Sequence, residues 1–102
     1  MKPHRSEILG RLAKFVNMDS DGLRRYMLQS IIDAREFTVN SLYDTVSQRY
    51  QVSRKVVASM IGYICSSLGI LHVNRESYKS PKIYVLREEY ADIARSVLYG
   101  KI

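Results

Sequence analysis

Apolar residues recur at helical spacing in five stretches of the chain and at strand spacing in two. Ile8, Leu9, Leu12, Phe15 and Val16 follow the rhythm of a single helical face and predict a first helix over residues 6–17, with Ser6 as N-cap. Leu23, Met27, Ile31 and Ala34, flanked by Tyr26 and Ile32, predict a second helix from residue 19 or 20 to 35. Residues 36–39 read as a small edge strand. Leu42, Val46 and Tyr50 predict a third helix over 41–50, opened by a capping box between Ser41 and Asp44. A very short connection leads to a fourth helix over 54–68, where Val57, Ile61, Ile64 and Leu68 share one face at about 100° per residue. Ser53 is its N-cap, and Val52 and Val57 occupy the two positions of a hydrophobic staple. Gly69 ends it as a residue free to take positive φ. Residues 70–74 and 82–86 then alternate, with Leu71, Val73, Ile83 and Val85 as the inward set. Residues 75–81 join them as a polar hairpin loop. A last helix over 88–99 carries Tyr90, Ile93, Ala94, Val97 and Leu98 on one face.

The chain has 102 residues, 46% hydrophobic and 25% charged, which fits one domain with a core of its own and argues against a disordered tail. No apolar run is long enough to span a membrane. The basic start, Met1 to Arg5, is not followed by the apolar segment of a signal peptide, so a cytoplasmic location is expected. A single cysteine, Cys65, excludes a disulfide framework within the chain and reads as a small buried hydrophobe rather than a reactive thiol. The net charge of +6 is unevenly placed. Between Thr45 and Arg87 there are seven basic residues and one acid, while the remainder of the chain is neutral. Such a distribution points to a polyanionic partner.

The order helix, short strand, helix, tight turn, helix, hairpin resembles a winged helix-turn-helix domain. The likeness covers residues 23–86. It rests on Phe37-Thr38-Val39 leading to Leu42 and Val46, on Val52-Ser53-Arg54-Lys55-Val56-Val57, and on the junction Leu68-Gly69-Ile70-Leu71. It is also similar to a small uncharacterised archaeal group of winged-helix proteins. The resemblance implies an α+β, mostly α fold: a single domain over 1–102, with a core at about 20–87, a two-stranded wing, and added helices at about 6–17 and 88–99. It implies that the helix over 54–68 is a recognition helix for the major groove and that the hairpin tip, 75–82, meets the backbone or minor groove.

The face of that helix opposite its apolar stripe carries Lys55, Ser59, Gly62 and Ser66, with Ala58 and Tyr63 beside it. Small residues let a helix backbone approach a groove wall, and Lys55, Ser59 and Tyr63 can donate to base edges or phosphates. Helix starts favour acids because the helix dipole is positive there. The helix after Ser53 instead opens with Arg54-Lys55, an arrangement suited to a phosphate. Two exposed cations merely in contact with water are the plainer reading. Arg49, Arg75, Lys79 and Lys82 complete the expected DNA-binding set, with Tyr78 near the tip.

His4 and His72 are far apart in sequence and have no clustered partner, so no metal and no cofactor is expected. No phosphate loop and no nucleophile–base grouping appears, so the chain does not read as an enzyme. The function expected is double-stranded DNA binding by a transcriptional regulator. The terminal helices are candidates for a homodimer contact, which would place two half-sites about one helical turn or a multiple of it apart. The alternative is a winged-helix subunit that binds proteins and reads no DNA; the fourth helix lacks the Asn, Gln or further Arg suited to bidentate base contacts. The chain leaves little room for a separate effector domain, and periodicity reveals no ligand pocket.

Overall fold

The computed structural model describes residues 4–74 and 80–100. Its elements are α1 (Arg5–Asn17), α2 (Leu23–Ala34), β1 (Glu36–Phe37), α3 (Val39–Ser47), α4 (Arg54–Tyr63), β2 (Leu71–Asn74), β3 (Ile83–Leu86) and α5 (Ala91–Tyr99). A π-helical turn, Ile64–Leu68, continues α4, and a 3-10 turn, Glu88–Tyr90, precedes α5. The fold is therefore α+β and mostly helical, with one small antiparallel sheet in the order β1-β3-β2.

Each helix buries most of the stripe its spacing predicts; in α2, however, Ala34 is exposed and Leu23 half-buried, while Leu28, outside the expected stripe, is fully buried. Ile8, Leu12, Phe15 and Val16 of α1 pack into the same core as Met27 and Ile31 of α2, Leu42 and Val46 of α3, and Val57 and Ile61 of α4. α5 adds Ile93, Ala94 and Val97 and packs against both α1 and α2. Burying a side chain of this size contributes about 1.5–3 kcal/mol each. The apolar stripes of α1 and α5 are thus covered within the chain, and a twofold dimer would use other surface. Arg5 ties the two helices at their rim, donating to Asp92 at 2.8 Å, an exposed pair worth about 0–1 kcal/mol.

The starts of α1, α2 and α3 differ from the sequence expectation, α1 and α3 beginning earlier and α2 later. α1 begins at Arg5 with His4 as N-cap and no side-chain cap, so Ser6 lies inside the helix. α2 begins at Leu23, four residues beyond Asp19. The Asp19 carboxylate accepts from the backbone N–H groups of Gly22, Arg24 and Arg25 at 3.1–3.2 Å, and Asp21 accepts from that of Leu23 at 3.0 Å. Gly22 makes this turn at φ +92°, a conformation that favours glycine. α3 begins at Val39 because the capping box is Thr38 with Ser41, not Ser41 with Asp44. The Thr38 hydroxyl accepts from Ser41 N–H at 3.1 Å, and the Ser41 hydroxyl accepts from Thr38 N–H at 2.9 Å. Thr38→Ala removes this cap and is expected to cost about 1 kcal/mol, read as a lower urea midpoint with an unchanged slope.

Partial burial pushes the Asp19 carboxyl upward, but its backbone donors outweigh that and hold its pKa below the ordinary aspartate value. The ionised group therefore adds stability that is complete above the unfolded-chain pKa and is lost as pH falls through the lower folded one. Asp19→Asn is expected to be less stable than the parent by about 1 kcal/mol at neutral pH. That gap should close as urea midpoints are followed below about pH 4.

The sheet corrects one expectation. Leu71 pairs with Leu86 and Val73 with Tyr84, so β3 turns Tyr84 and Leu86 toward the core. Ile83 and Val85, expected inside, lie on the other face with His72 and Asn74. Val73 shares the inner face but sits at its open end and is exposed. Tyr84 is held by Phe37 of β1, the ring centroids 5.6 Å apart with planes 15° from parallel. Backbone bonds from Leu86 N–H to Arg35 O and from Arg87 N–H to Ile70 O, both 2.8 Å, extend the ladder on either side of β3.

Candidate nucleic-acid interface

The start of α4 is built as its sequence predicts. The Ser53 hydroxyl accepts from Val56 N–H at 3.1 Å, Val57 is fully buried and Val52 packs against the core from outside the helix. With Val57, Ile61 and Ile64 turned inward, the outer face presents Arg54, Lys55, Val56, Ser59, Gly62 and Tyr63. A Cβ placed on Gly62 would meet nothing within 4 Å, so this part of the helix backbone is open to approach. After Tyr63 the helix widens: Gly69 N–H bonds to Ile64 O five residues back, and Gly69 leaves at φ +77°. The helix over 54–68 is thus α-helical to Tyr63 and π-helical beyond it.

Arg54 is brought together with the hairpin. A cleft of about 210 Å³ is lined by Thr38, Val39 and Asn40 at the start of α3, by Arg54 of α4, and by Pro81, Lys82 and Tyr84 at the base of β3. The Arg54 Nε donates to Asn40 Oδ1 at 2.6 Å, which fixes the guanidinium across the cleft. Among the described residues, Arg54, Lys55 and Lys82 have no carboxylate partner. α3 opens with no acid in its first turn, so two cations and a helix start face the same space. The contrast drawn from sequence is weaker than expected, because α2 and α3 also lack an acid in their first turns. At α2, Asp19 and Asp21 supply that charge from outside the helix; at α3 nothing acidic does so.

The other expected contacts are spread out. Ser53 spends its hydroxyl on the cap. Lys55 and Gly62 are exposed on the α4 face. Ser59 and Tyr63 border a different cavity, shared with Phe15, Met18, Arg24 and Met60. Arg49 is not in the cleft: its guanidinium carbon lies 4.8 Å from the Tyr26 ring centroid, in a third cavity that Tyr50 and Tyr99 also line. Arg75, Tyr78 and Lys79 lie outside the described residues.

A profile of the DUF2551 family, described as proteins of unknown function, matches residues 12–94. The chain belongs to the DUF2551 family. It is also similar to an uncharacterized protein of Archaeoglobus fulgidus, 34% identical over 93 residues, which cover 90% of this chain and 93% of that protein. No solved structure matches it. The match spans α2 to β3 together with the last six residues of α1 and the first four of α5, so the DUF2551 family unit includes part of each flanking helix as well as both strands β2 and β3.

Sequence reasoning missed Asn40 and Thr38 as members of the cleft. Thr38 lies three residues and Asn40 one residue ahead of the expected helix start, and with the start at Val39 they become the N-cap and a first-turn residue at the rim of the cleft. Among the described residues of this DUF2551 protein, no group of three His, Cys, Asp or Glu stands together, and no helix is long and apolar enough to cross a membrane. Cys65 is half-buried at the edge of the stripe, its Sγ 3.9 Å from Leu71 O.

Proposed function

We propose that this protein binds double-stranded DNA as a winged helix-turn-helix regulator, with α4 in the major groove and the β2–β3 hairpin against the backbone. The observation that carries the reading is the cleft lined by Arg54, Lys82 and the start of α3. A phosphate seated there would meet two cations and the positive end of a helix. Lys55, Ser59 and Gly62 would then lie toward the groove floor, where Gly62 allows close approach. Most of the affinity in this reading comes from phosphates, since Lys55 is the one cation on the central α4 face.

The choice of residues is tested with the tightest duplex recovered by selection. Lys55→Ala is expected to weaken that complex about fivefold, a contact worth roughly 1 kcal/mol. Arg11→Ala is the control. Arg11 lies 3.9 Å from Glu7 and donates to Ser67 O at the far end of the helix, and its removal should change affinity less than twofold. Equal losses in the two variants would refute the placement of α4.

A further inference from the structure

The cavity beside the outer face of α4 has a chemistry that DNA does not explain. It encloses about 280 Å³, close to the lower end of small-molecule sites, and is lined by Phe15, Met18, Arg24, Ser59, Met60 and Tyr63. Four segments meet there: α1 supplies Phe15, the turn after α1 supplies Met18, the start of α2 supplies Arg24, and α4 supplies Ser59, Met60 and Tyr63. Phe15 is 1% exposed and forms the floor. Tyr63 stacks on it with centroids 5.9 Å apart and planes 19° from parallel. The Arg24 guanidinium carbon lies 4.7 Å from the same Phe15 ring centroid.

Two features of this arrangement call for an occupant. Met18 is 59% exposed and Tyr63 45% exposed, so large apolar side chains meet water around a concave surface. Arg24 is half-buried, and its side chain makes no ion pair or hydrogen bond among the described residues. A guanidinium fork held over an aromatic ring, without an acceptor, is matched by a carboxylate. The remaining walls are a tyrosine face and two thioethers, which are polarizable and adapt to a flat hydrocarbon. Ser59 adds a hydroxyl donor from the α4 wall.

We propose that this cavity binds a small planar aromatic carboxylate. Its ring lies against Tyr63 and between Met18 and Met60, and its carboxylate receives the Arg24 fork with the Ser59 hydroxyl as a further donor. The size of the cavity suits one or two fused rings. The site needs α1 for its floor, so the N-terminal helix completes a binding site as well as a core. Ser59 borders both this cavity and the face assigned to DNA, but the proposal does not rest on DNA binding, and its test contains no DNA.

The full chain, with isotope-labelled methionine methyl groups, is titrated with naphthalenecarboxylate and followed by NMR. The Met18 and Met60 methyl signals are expected to shift to saturation, while that of Met27, fully buried in the core, stays in place. Arg24→Gln is expected to weaken the carboxylate about tenfold or more, the loss of a charge-assisted pair. The neutral naphthalenecarboxamide should bind the parent more weakly than the acid and should bind parent and variant alike. Arg24→Lys, which keeps the charge and loses the fork, should fall between the two; it decides the question if the glutamine variant does not fold. An absence of saturable shifts at Met18 and Met60 at millimolar acid, or unchanged affinity in the Arg24 variants, would overturn the proposal.

Discussion

Replacing Arg54, Lys55 and Lys82 together by alanine is expected to lower affinity for duplex DNA on the order of a hundredfold at moderate salt, about 1 kcal/mol for each charge-assisted contact. The reason is geometric as well as electrostatic. Arg54, Lys82 and the start of α3 all line one cleft, so a phosphate held there engages all three groups at once. Among the described residues neither cation has a carboxylate to release first. Arg54 does lose freedom through its bond to Asn40, but that bond leaves the terminal guanidinium nitrogens to the ligand. All three side chains are exposed, and none belongs to the core, so the thermal midpoint of the triple variant should remain within a few degrees of the parent. Loss of binding with retained stability, measured by fluorescence anisotropy and circular dichroism on the same sample, is the expected result. An affinity within twofold of the parent would remove the cleft from the interface.

Leu12→Ala is expected to destabilise the protein by about 2–5 kcal/mol, the range for emptying a fully buried leucine site. Leu12 is 0% exposed within a single chain, between Ile8, Phe15 and Val16 on the same face of α1. A cost of this size is comparable with the entire stability of many small domains, so the variant should be largely unfolded at moderate urea. The drop in urea midpoint should not depend on protein concentration, because the leucine is buried by its own chain. A concentration-dependent midpoint would mean that α1 packs against a second copy instead.

The sequence was most informative where one element decides its own conformation. The stripes of α1, α4 and α5, the Ser53 cap, the Val52–Val57 staple and the positive φ at Gly69 all follow from local spacing and local sterics. It was less informative where two local solutions compete. Thr38 and Ser41 are both good caps three residues apart, and the choice between them depends on β1, which pairs with β3 from a distant part of the chain and holds Phe37 in place. Alternation in β3 defines two faces without saying which is buried. Tyr84 is inside because Phe37 is there to stack on it, and Leu86 because register sets it opposite Leu71.

The candidate sites show the same division. Arg54, Lys55 and Lys82 were legible as surface cations with a helix start nearby. Their meeting with Asn40 was not, because it requires the packing of α3 against α4 and the base of the hairpin. Arg24 and Met18 carried no pattern at all. They acquire meaning only when the end of α1 is laid beside α4, a tertiary fact that no single periodicity contains.

The most direct test of DNA binding is the salt dependence of the wild-type chain's affinity for mixed duplex DNA, read by anisotropy. The phosphate shared by Arg54 and Lys82 and a second one met by Lys55 make about two neutralised phosphates, so the logarithm of the binding constant should fall with the logarithm of salt at a slope near −1.8 or steeper, roughly −0.9 per phosphate. A complex that is absent at low salt, or whose affinity does not change with salt, would contradict the assignment of this basic face to DNA.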